Sequence, residues 1–155
     1  MSRVPLHYID LRTFSYATED DKRVEEALRT FLPEDFELDR TENVGHHGDR
    51  IVVFSARVEN ADDMRYVLDR LGAIEEADRV IREMDERVDE NTSLFLRLDK
   101  QAAFNGLVRL GQGITLRGKV EAYPAKKDAA VENARELLAD AADVDLESLA
   151  IDEDD

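Results

Sequence analysis

Hydrophobic residues recur along this chain with two spacings, every second residue and every third or fourth, and the switches between the two predict its elements. Leu94, Leu96 and Leu98 alternate with Phe95 and Arg97. That pattern predicts a strand with a leucine face and an arginine pointing away from the core. Asp99 follows where an N-cap belongs, Lys100 to Asn105 hold no β-branched residue, and Gly106 sits where a helix C′ glycine would. Strand, cap, short helix and glycine stop agree, and the chain reads as organised around this central strand.

Before it, residues 6–17 predict a first strand, in which Ile9 and Leu11 alternate with Asp10 and Arg12 and a bulge near Phe14 and Tyr16 breaks the face. Thr18, with Asp21 three residues on, is read as the cap of a helix whose stripe is Val24, Ala27, Leu28 and Phe31, ended by Pro33. Phe36 to Thr41 and residues 51–59 predict two strands joined by turn residues Asn43 to Asp49, the second facing inward with Val52, Phe54, Ala56 and Val58. Asn60 caps a helix carrying Met64, Val67, Leu68 and Leu71 and stopped near Gly72. A longer helix follows, with Ile74, Ala77, Ile81, Met84 and Val88 on one stripe. After Gly106, Leu107 to Leu110 reads as a short strand. Ile114 to Tyr123 alternates most regularly of all, with Arg117, Lys119 and Tyr123 on its outer side, and a last helix carries Val131, Ala134, Leu137 and Leu138. These elements make one α+β domain over residues 1–139, a mostly antiparallel sheet with helices packed on one face. Residues 140–155 read as an acidic, disordered tail, in which Val144 to Ile151 forms at most one helical turn.

Charge changes this picture more than composition does. At 155 residues and 43% hydrophobic the chain can bury a core, and it has no cysteine for disulfide or thiolate chemistry. No apolar run approaches a membrane span, and Met1 to Leu6 lacks a signal-peptide pattern, so a cytoplasmic protein is expected. The net charge of -16 comes from 37 acids against 21 bases, and only 5 of those bases are lysine. The tail accounts for 8 of the acids, so the domain itself is acidic. Such a domain suits a salt-loving archaeal cytoplasm, where ions screen its self-repulsion.

The motifs that suggest chemistry weaken on inspection. Gly113 to Lys119 matches the first seven positions of a phosphate-binding P-loop, but Val120 stands where the magnesium-binding hydroxyl belongs and the intervening residues alternate as a strand. His46 and His47 are adjacent in a glycine-flanked turn, and the only other histidine is His7, short of a converging metal set. No nucleophile is paired by spacing with a base. No catalytic residue, metal or cofactor is called for. What remains is a basic sheet face. Arg97, Arg109, Arg117 and Lys119 point outward from neighbouring strands, Phe95 and Tyr123 share their side, and Lys100, Lys126 and Lys127 extend the patch at its edge. Arginines interleaved with aromatic rings on a sheet suit single-stranded RNA, the guanidinium for phosphate and the ring for a base.

The run from Leu94 to Gly106 resembles the signature of an archaeal RNA-binding protein family described as exosome-associated subunits. Val120 to Lys127 resembles a second shared block, and Ile9-Asp10-Leu11 followed by Ala17 to Asp20 a third. The likeness spans roughly residues 6 to 139. It implies an α+β fold similar to a ribosomal protein that binds five-S rRNA. It also implies a non-catalytic RNA-binding role in RNA processing or degradation, with exosome or ribosome-related partners. The alternative is a protein-interaction subunit whose acidic surface and tail meet a basic partner.

Overall fold

The computed structural model describes residues 4–45 and 47–149. Five strands form one antiparallel sheet: β1 (Leu6–Ser15), β2 (Asp39–Val44), β3 (Arg50–Val58), β4 (Ser93–Asp99) and β5 (Gly113–Val120). Their order is β2-β3-β1-β5-β4. The centre of the sheet is therefore β1, and the leucine strand read as central is an edge. All the helices pack on one face: α1 (Asp21–Arg29), α2 (Ala61–Leu71), α3 (Ala77–Arg82), α4 (Met84–Arg87), α5 (Lys100–Phe104) and α6 (Lys127–Ala142).

Period-2 alternation puts Ile9, Leu11, Val52, Phe54, Leu96 and Leu116 under those helices, each at most 2% exposed. β1 does not bulge at Phe14. Its alternation continues to the strand end, with Thr13 and Ser15 buried on the inner side. These hydroxyls are accepted inside because each has a partner: Thr13 Oγ1 donates to the Gly113 carbonyl at 2.7 Å and Ser15 Oγ to Asp21 Oδ1 at 2.7 Å. The register shift falls instead between Leu6 and Tyr8.

The caps follow local chemistry. Asn60 Oδ1 accepts from the Asp62 and Asp63 amides, and Asp99 Oδ1 from the Ala102 amide at 2.9 Å. Gly106, with φ +79°, ends α5 as expected. The first helix is capped by Asp20 rather than Thr18. Asp21 begins it, where its carboxylate takes Ser15 and Arg50 as partners.

Four expected elements differ. β2 lies three residues later than Phe36 to Thr41, because Phe36 and Leu38 pack against the core instead of pairing. The helix expected through Val88 breaks at Glu83, beside a largely buried Arg135 of α6 that donates to the Ile81 carbonyl at 3.2 Å. Leu107 to Leu110 forms only a single bridge, Leu110 to Leu98. The expected boundary at residue 140 falls inside α6, and a 3-10 turn at Leu146–Leu149 follows. Leu149 is only 7% exposed, with Val144 and Leu146 packed beside it, so residues 140–149 belong to the folded unit. The rest of the expected tail, 150–155, lies outside the described residues, as does His46. No described helix is long and apolar enough to cross a membrane.

Candidate nucleic-acid interface

The outer side of the sheet carries no helix, and its pairing registers define which side chains stand together. One row across the strands reads Arg97 (β4), Thr115 (β5), Arg12 (β1), Ser55 (β3) and Asp39 (β2). The next reads Phe95, Arg117, Asp10 and Arg57. A third pairs Ser93, Lys119 and Tyr8. Five cations thus stand on the outward positions of β1, β3, β4 and β5, with Asp10 in their midst, Asp39 at the far end of the first row and Asp99 at the end of β4. A groove of about 580 Å³ runs along this face, lined by Arg12, Phe14, Phe95, Thr115, Arg117 and Arg57 among others.

Asp10 organises half of the face. Arg57 Nε and Nη2 donate to its two oxygens at 2.8 and 2.9 Å, and Arg117 Nη2 donates to Oδ2 at 2.9 Å. Burial pushes the Asp10 carboxyl up, but the hydrogen bonds and charges of Arg57 and Arg117 more than reverse this and hold it below the ordinary value. The same bond to Asp10 keeps the Arg57 guanidinium more firmly protonated. Tyr8 lies against both arginines, its ring centre 4.2 Å from the Arg57 guanidinium carbon and 5.7 Å from that of Arg117. Arg12 and Arg97 are different. Both are exposed, and neither has an ion pair or side-chain hydrogen bond among the described residues. They flank Thr115 across one row, about 10 Å apart by strand spacing.

The residues singled out in the sequence divide in the structure. Arg97, Arg117 and Lys119 do share the outer face with Phe95, and Lys119 Nζ donates to the Asn91 carbonyl. Lys127 reaches the same region from the start of α6, where it and Arg97 line a second groove. Lys100 is not part of the face. Its ammonium is tied to the Phe14 carbonyl at 2.9 Å and to Glu19 at 2.8 Å, with the side chain 14% exposed. Arg109 sits in the loop before β5 and pairs with Asp99 at 3.4 Å. Tyr123 is 81% exposed but lies three residues past the end of β5, so it has left the row of Arg117 and Lys119. Lys126 is exposed at the N-cap of α6. The sequence reading missed Tyr8, Arg12, Phe14 and Arg57. The alternation of β1 and β3 was the available signal, but only the strand order shows that these two strands lie beside the arginines of β5.

The fold is that of a small α+β domain whose helix-backed antiparallel sheet leaves one cationic face bare. A family model described as RNA binding matches residues 8–120, and the chain belongs to that family. It is 37% identical over 147 residues to an RNA-binding protein of Pyrococcus abyssi, covering 88% of this chain and 96% of that one. An uncharacterized protein of Methanocaldococcus jannaschii is 30% identical over 117 residues, covering 70% of this chain and 78% of that one. The solved structure of a DUF54 protein from Methanothermobacter thermautotrophicus is 40% identical and superposes with a TM-score of 0.73, over 86% of this chain and 98% of that one.

Proposed function

We propose that the open face of the sheet binds single-stranded RNA and performs no chemistry on it. The observation that carries this reading is local charge. Arg12, Arg57, Arg97, Arg117 and Lys119 face outward together on a chain whose net charge is -16. Phosphate is the ligand that such an enclave suits, and Phe95, 41% exposed between Arg97 and Arg117, offers a ring to a base. The family match and the printed name of the Pyrococcus relative support the same reading. Arg12 and Arg97 are the first phosphate ligands in this account, because no carboxylate competes for them. Lys126, Lys127 and Tyr123 flank the bound strand. A role in RNA processing or degradation beside the exosome or ribosome-related proteins belongs to this proposal and rests on the family resemblance alone. A salt-rich cytoplasm is its setting, supported by the acidity and the five lysines. There, counterion release contributes less, so stacking and hydrogen bonds must supply more of the affinity.

The test is fluorescence anisotropy on a mixed single-stranded RNA pool at several potassium chloride concentrations. Arg12→Gln combined with Arg97→Gln should weaken binding to all sequences and flatten the salt slope by about 1.4, two single-strand contacts at about 0.7 each. Unaltered affinity in the folded double variant would remove the sheet face from the account.

A further inference from the structure

The outer edge of β4 is covered at both ends and open in the middle. At one end Asp89 N–H donates to the Ser93 carbonyl at 3.0 Å. At the other, Gly111 N–H donates to the Arg97 carbonyl at 3.1 Å and Asp99 N–H to the Arg109 carbonyl at 2.9 Å. In an antiparallel strand the N–H and C=O of one residue point the same way and alternate with those of the next. The odd-numbered residues of β4 therefore aim their backbone groups away from β5, and its register is unbroken from Ser93 to Asp99. Phe95 lies between the covers. The antiparallel bridge between Val88 and Leu94 engages its N–H, while its C=O and the N–H of Arg97 face outward with no partner among the described residues.

These groups open onto a groove of about 1080 Å³ whose lining includes Phe95, Arg97, Leu110, Glu76, Arg79 and Lys127. It shares Phe95 and Thr115 with the groove on the sheet face, so the two are continuous around the strand edge. Their charge differs. Here four carboxylates, Glu76, Glu86, Asp89 and Glu90, line the groove with four cations; Glu76 accepts from the Leu110 amide and Asp89 from the Asn91 and Ser93 amides. Arg79 and Arg87 are held by Glu83. Only Arg97 and Lys127 offer a free cation, both at the rim. A balanced groove does not favour a run of phosphates. A gap closed at both ends admits no added strand. It does fit a planar, neutral group with a donor and an acceptor along one edge.

We infer that this groove is a base pocket: RNA crossing the sheet face turns one nucleobase over the β4 edge. The base pairs its hydrogen-bonding edge with the Phe95 carbonyl and the Arg97 amide, and its phosphate meets the Arg97 guanidinium and Lys127. This deepens the proposed RNA-binding role and rests on it. It predicts a single-stranded ligand, since a base held in a duplex has no free edge for the pocket.

The experiment is an amide-resolved NMR titration of the full chain with a short single-stranded RNA, with adenosine and uridine monophosphates, and with ribose 5-phosphate as the base-free probe. The RNA and at least one nucleotide should shift the Phe95 amide, and ribose 5-phosphate at equal concentration should not, although its phosphate reaches Arg97. Phe95→Leu should weaken RNA binding by about tenfold without changing the salt slope, as expected for a lost stacking partner. Shifts at Arg12, Arg57, Arg97 and Arg117 with none at Phe95 would overturn the pocket and leave the face standing; no shift at any of them would overturn both. Equal shifts from ribose 5-phosphate, or concentration-dependent shifts at Phe95 without RNA, would assign the edge to phosphate or to a second copy instead.

Discussion

The open face of the sheet and the helical shell behind it handle arginine in opposite ways. From residue 60 to 90, which spans α2 to α4, the chain has 11 acids and 5 bases. Four shell arginines are neutralised by nearby helical acids, Arg65 by Asp62, Arg79 and Arg87 by Glu83, Arg135 by Glu132; Arg70 is held by the Thr30 carbonyl, and Arg82 is left exposed. Spare carboxylates remain to hydrate that surface. On the sheet face Asp10 is shared by two arginines, and Arg12 and Arg97 are left without a partner. A chain this acidic neutralises most of its cations internally. Where it leaves two in one row unpaired, the surplus marks a place for an outside anion.

Charge reversal breaks this comparison most strongly. Arg12→Glu with Arg97→Glu should lower RNA affinity by at least about tenfold at moderate salt, through two lost contacts and new repulsion. Arg65→Glu with Arg82→Glu on the shell should leave it within about twofold. Anisotropy reads both. Lys100→Met separates a structural cation from a binding one. It should cost about 1.5 kcal/mol in urea unfolding, the range for a hydrogen bond to a charged group, with the RNA salt slope unchanged. A changed slope would return Lys100 to the interface.

Asp10→Asn sharpens the comparison from the other side. It frees two guanidiniums for phosphate, and RNA binding at low salt should tighten about threefold, the effect of one removed like charge near the ligand. The pH sign is fixed by the direction of its shift. The folded-state pKa lies below 3.8, so the stability Asp10 contributes is fully present above that value and is lost as pH falls through the lowered one. The difference in thermal midpoint between wild type and Asp10→Asn should stay constant near neutrality and shrink only on strong acidification. A difference already fading near pH 6 would implicate another group.

What was legible in the sequence was local. The inner faces of β3, β4 and β5, the Asn60 and Asp99 caps and the Gly106 stop follow from periodicity and backbone chemistry that a few residues settle among themselves. Strand order is not such a property. The leucine strand looked central because it is apolar on one side, yet the helical layer gives an edge strand the same pattern. Lys100 and Arg97 looked alike three residues apart, and only the long-range contact with Phe14 and Glu19 separates them. Tyr123 continued the alternation of β5 on paper, but pairing stops at Val120 and the chain turns toward α6. Residues 140–149 read as tail because they carry four acids, no base and little apolar periodicity. The burial of Leu149, a single side chain at the end of a short turn, is below the resolution of a periodicity argument.

The central claim is that the helix-free face, and not the acidic shell, meets RNA. Ultraviolet crosslinking of bound single-stranded RNA, followed by mass spectrometry of the crosslinked peptides at high potassium chloride, tests it most directly. The account predicts adducts on β1, β4 and β5, with Tyr8, Phe14 and Phe95 as the main acceptors. Adducts concentrated on residues 60–90, with those strands unlabelled, would contradict it.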